Sequence, residues 1–109
     1  MAAIIETKNT ELMQIVIDEI KTCFDPEIPV DVWELGLIYE LHLDDEGNLK
    51  IVMTLTSPNC PVADVLPKEV EHKCSMLPGI KTVELKLTFE PFWTKEMMSE
   101  VAQLELGFM

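Results

Sequence analysis

From Thr10 to Phe24 the apolar residues Leu12, Met13, Val16, Ile17, Ile20, Cys23 and Phe24 recur on one helical face, with Glu11, Gln14, Asp18 and Lys21 opposite. That period predicts an amphipathic helix. Asn9 or Thr10 can cap its start. Pro26 is expected to close it by driving Asp25 out of helical geometry. The segments Leu37 to Asp44 and Leu49 to Thr56 then alternate, Tyr39, Leu41 and Leu43 sharing one face and Leu49, Ile51, Met53 and Leu55 another. With "DEGN" between them, they read as a β-hairpin.

From Pro61 to Leu77 the pattern is helical again, with Val62, Val65, Leu66, Val70, Cys74 and Leu77 on one side. Pro67 would withhold a donor from the Ala63 carbonyl, so a kink or a later start to the regular helix is expected. Pro78-Gly79 ends it, and Val83, Leu85, Leu87 and Phe89 alternate as a third strand. A last helix from about Thr94 would turn Met97, Met98, Val101 and Leu104 inward and leave the apolar tail "LELGFM". The order α-β-β-α-β-α predicts an α+β fold, a two-layer sandwich with a small mixed sheet and helices on one face.

A chain of 109 residues suits one domain, residues 1–109, with one core. No apolar run approaches the length of a membrane span, and "MAAIIETKN" has neither the basic nor the apolar region of a secretory signal, so a cytoplasmic location is expected. The net charge is -12 and all eight basic residues are lysines, which disfavours nucleic acid and anionic membrane as partners. Three cysteines, Cys23, Cys60 and Cys74, form no C-x-x-C pair and cannot by themselves complete a four-ligand zinc or iron-sulfur site.

Chemistry is concentrated in "TLTSPNCPVAD". If Pro61 is the first helical residue, Cys60 is the N-cap, where unpaired amides and the helix dipole favour a thiolate. The plainer alternative is a small buried cysteine in a tight loop. A second feature, "DPEIPVD", gathers Asp25, Glu27 and Asp31 between two prolines. Carboxylates beside a thiolate would repel it unless a cation binds or one acid stays protonated, and solvated acids at a helix stop are the simpler reading. His42 is expected to point away from the core and His72 lies between Glu71 and Lys73, so neither is a placed base for a Cys-His enzyme. Cys23, Cys74, Trp33, Trp93 and the methionines read as packing residues.

"DPEIPVDVWELGLIYEL", "TLTSPNCP", "LPGIKTVELKL" and "PFWTKEMMSE" together resemble, in order and spacing, the metal-sulfur cluster assembly domain family, over roughly residues 10 to 108. That family includes SufT-type and PaaD-type proteins and cytosolic iron-sulfur targeting factors. The resemblance implies a non-enzymatic accessory role in assembling iron-sulfur clusters or delivering them to apo-proteins. It implies assembly proteins and clients as partners, with a homodimer also allowed, and a transient cluster or iron rather than a tightly bound cofactor. Carried over by position, its polar pocket falls on Asp25, Glu27, Thr54, Thr56 and Cys60, with Cys60 the metal ligand. Asp31 stands where the family often has Asn, and the absence of a cysteine-rich extension favours the minimal SufT-like form. The alternative is an adaptor that docks partners through its acidic surface and C-terminal tail.

Overall fold

A computed structural model describes residues 3–24, 30–56 and 65–107. The chain runs β1 (Ile4–Thr7), α1 (Thr10–Ile20), β2 (Ile38–Leu43), β3 (Asn48–Met53), α2 (Val65–Ser75), β4 (Thr82–Leu87), a 3-10 turn (Lys95–Met97) and α3 (Glu100–Glu105). The four strands form one sheet in sequence order. β2 and β3 are antiparallel, while β1 and β4 add in parallel at the two edges. The expected mixed-sheet α+β architecture is present, with one added element: the short strand β1 precedes α1.

Asn9 caps α1, its side chain accepting from the Leu12 amide at 3.1 Å. Met13, Val16, Ile17 and Ile20 are buried, each side chain contributing roughly 1.5–3 kcal/mol of apolar transfer. The helix ends at Ile20, five residues short of Asp25, so Pro26 is not what stops it. The Thr22 amide and hydroxyl instead bond the Glu19 carbonyl, and the Cys23 amide bonds that of Ile20. Cys23 is buried beyond the helix, whereas Phe24, assigned above to its apolar face, is 51% exposed.

The hairpin turn is organised by Asp44, whose Oδ1 accepts from the amides of Glu46 and Asn48, both at 2.9 Å. Bonds from Asn48, first through its side chain, hold the Asp44 carboxyl below its ordinary value. Gly47, at φ 91°, completes the turn, and its carbonyl accepts from the Lys81 amide at 2.7 Å.

Leu41, Leu43, Leu49, Ile51 and Met53 face the core with α1 and α2 residues, and half-buried Val83, Leu85 and Leu87 pack against it. α2 is described from Val65, with Pro67 its third described residue, and the expected kink or later start falls on residues 61–64, outside the described residues. Met98 and Ala102 join the core at the C-terminal end. Val101 and Leu104 do not, being 61% and 59% exposed, because a six-residue α3 can offer only a narrow stripe and Ala102 occupies it.

Candidate functional site

Of the five predicted pocket residues, Thr54 and Thr56 are described, whereas Asp25, Glu27 and Cys60 lie outside the described residues. The positions that flank the latter three are firmly tied together. The Val32 amide donates to the Cys23 carbonyl at 2.9 Å, Leu37 to Val32 at 3.1 Å, and Thr54 to Leu37 at 2.8 Å. Phe24 and Asp31 also pair as an antiparallel bridge. The segments leading into and out of 25–29 are therefore joined, through the start of β2, to the end of β3 that leads to 57–64. Backbone hydrogen bonds in such a buried frame are costly to break, which fixes the frame.

Thr54 is fully buried and the only buried polar side chain among the described residues, while Leu55 turns into the core and Thr56 is half-buried. Thr54 is thus as deeply buried as its neighbour Leu55, which alternation along the strand does not anticipate. Tyr39 makes contact with Thr54. The expected face for Tyr39, alongside Leu41 and Leu43, is corrected by a register shift: Ile38 pairs with Met53 and Glu40 with Val52, leaving Tyr39 as an extra residue. This bulge turns the ring to the opposite side, where it lines a cleft with Glu40, Val52 and Lys86. Its hydroxyl donates to the Pro91 carbonyl at 2.8 Å. Burial pushes the phenol above its ordinary value, and a hydrogen bond with the Thr54 side chain opposes that rise. Strict alternation gave no signal for Tyr39, since a one-residue bulge inverts every side chain before it.

Asp31 has a local task. Its Oδ2 accepts from the amides of Trp33 and Glu34, both at 3.1 Å, and its carbonyl accepts from Leu35. It is the cap of a tight turn over 31–35. Burial raises its carboxyl above the ordinary value, with the bond from the Glu34 amide pulling the other way. The turn ends at Gly36, φ 77°, where any Cβ would collide with the Met97 carbonyl. The Trp93 indole donates to the Leu35 carbonyl at 2.6 Å and the Ser99 amide to that of Glu34 at 2.8 Å, clamping the C-terminal region onto the turn.

The other two thiols are core residues, as expected. Burial pushes Cys23 up to about 11, with the Lys73 ammonium opposing it. Cys74 is pushed up to about 12, by burial first and then by Cys23. Among the described residues no three His, Cys, Asp or Glu side chains converge to hold a metal ion.

The two-layer α+β scaffold thus ties the residues flanking 25–29 to the end of β3. The chain belongs to the iron-sulfur cluster assembly protein family, whose model matches residues 14–86. It is 47% identical to the Fe-S protein maturation auxiliary factor of Porphyromonas gingivalis, across 93% of this chain and 99% of that protein. It is 40% identical to the Fe-S protein maturation auxiliary factor SufT of Staphylococcus aureus, across 76% of this chain and 94% of that one. A crystal structure of a domain of unknown function, DUF59, from Bacillus anthracis superposes with a TM-score of 0.84 at 32% identity, covering 92% of this chain and 95% of that one.

Proposed function

We propose that this protein is a non-enzymatic accessory factor of iron-sulfur protein maturation that carries a cluster, or iron, briefly and passes it to apo-proteins. The observation that carries this reading is the 47% likeness, nearly end to end, to a protein named as an Fe-S protein maturation auxiliary factor. Cys60 is the ligand to the cargo, and Asp25, Glu27, Thr54 and Thr56 shape the pocket around it. One thiolate is far from the roughly four ligands that a stable cluster takes. Such a carrier holds its cargo loosely, and the remaining ligands come from an assembly protein, an apo-protein client or a second copy of the chain. The place of this work is the cytoplasm.

The test is anaerobic reconstitution with iron and sulfide, followed by visible absorption and by reactivation of an apo [4Fe-4S] dehydratase. Wild type should give a labile chromophore and speed reactivation, and Cys60→Ala should do neither while keeping its circular dichroism. Equal reactivation by both proteins would remove Cys60 from the mechanism.

One observation favours the adaptor reading. Val101 and Leu104 form an exposed apolar pair on α3, at 61% and 59% exposure. In that reading, removing residues 104–109 abolishes partner capture while Cys60→Ala leaves it intact, and the opposite pattern rejects it.

A further inference from the structure

The face of the sheet turned away from the core is ordered by register into rows. Ile4, Glu40, Val52 and Lys86 lie side by side across all four strands, with Glu6, His42, Lys50 and Glu84 in the next row. Most of these positions are polar and wet, as an open sheet face should be. Val52 is the exception, only 9% exposed although it points away from the core. It lies in a cleft of about 470 Å³ that also takes in Ile4, Tyr39, Lys50, Lys86 and Pro91. That volume is in the range of small-ligand sites, roughly 300–1,000 Å³.

The charges in the cleft are unequal in availability. Glu40 is engaged by His42, Oε1 to Nε2 at 2.8 Å, and His42 Nδ1 also lies 3.7 Å from Glu6. Glu90, on the rim, is exposed, so water screens it. Lys50 and Lys86 form no ion pair among the described residues, though each sits one strand from the other on the same face. The bulge at Tyr39 supplies an aromatic wall, held in place by Pro91.

We infer that this cleft is a second binding site, for a small carboxylic acid with an apolar stem: Val52, Tyr39 and Pro91 take the stem, and the Lys50 and Lys86 ammonium groups take the carboxylate. An apolar floor beside two uncommitted cations recognises that combination better than either of its halves alone. The site uses none of the residues assigned to the cargo.

Octanoate, octanol and octylammonium serve as probes, followed by backbone amide chemical shifts of the full chain. Octanoate should shift Val52, Lys86 and Thr88 saturably, octanol should do so more weakly, and octylammonium should not bind. The exposed double change Lys50→Gln with Lys86→Gln should weaken octanoate by at least about tenfold and leave octanol unchanged. Cys60→Ala should bind octanoate like wild type, which separates this site from the cargo mechanism. Equal responses to octanoate and octanol, or no saturable shift at these residues, would overturn the inference.

Discussion

The Tyr39 hydroxyl donates to the Pro91 carbonyl at 2.8 Å across 52 residues of sequence, so one side chain on the bulge of β2 fastens the chain that follows β4. The same phenol donates to the Met97 sulfur, Sδ, at 3.4 Å. Tyr39→Phe keeps the ring and removes both bonds, leaving the Pro91 carbonyl without this donor. We expect a loss of about 1 kcal/mol in urea unfolding, read as a lower midpoint with an unchanged slope. An unaltered midpoint would mean that water replaces the phenol at no cost.

Asp31 gives a pH signature whose sign follows from its environment. Its folded carboxyl is raised by burial, so between the unfolded value and the folded one the native state binds more protons than the unfolded chain. Stability therefore falls as pH rises through that window, opposite to the usual salt-bridged acid. Asn at this position keeps an oxygen for the Trp33 and Glu34 amides without the charge. Asp31→Asn should abolish this decline and be neutral or slightly stabilising at pH 7, whereas Asp31→Ala should abolish it too but lie about 1 kcal/mol below Asp31→Asn at every pH, for want of the cap. Chemical unfolding from about pH 3 to 8 distinguishes them.

The long periodic segments were legible because burial on one side imprints a period on the sequence. α1, the hairpin and β4 follow from it. β1 left no such imprint: Ile4 and Ile5 are 61% and 45% exposed, and the strand exists through parallel pairing with β2, a contact more than thirty residues away. Tyr39 was assigned to the wrong side because a bulge is invisible to a period-two count. Val101 and Leu104 matched a helical stripe that a six-residue helix does not bury. At the site, the burial of Thr54 beside Met53 and Leu55 left no sign in the alternation, and the capping role of Asp31 depends on a turn that only tertiary contacts with Trp93 and Ser99 complete.

Cys23 and Cys74 are both fully buried, with thiols pushed to about 11 and about 12. Neither offers thiolate to a reagent at pH 8. In Cys60→Ala protein, a disulfide exchange reagent should therefore find no reactive thiol in the native state and two on unfolding. Because their folded values lie above the 9.0 of a free thiol, stability should also fall as pH rises past that value, where only the unfolded chain ionises. Rapid labelling of native Cys60→Ala would show that the end of α1 opens without global unfolding.

The C-terminal helix separates packing from surface within three residues. Ala102 is fully buried and its amide is capped by the Ser99 hydroxyl at 3.1 Å, while Val101 is 61% exposed and Leu104 59%. Ala102→Leu would force a larger side chain against Met98 and the core, and should cost about 1–3 kcal/mol. Val101→Lys and Leu104→Lys touch no buried group and should each stay within about 0.5 kcal/mol of wild type. Paired with partner capture, this contrast is informative about function. If the exposed pair docks an assembly protein or client, the two lysine variants should lose capture at full stability, which a purely structural role for α3 would not produce.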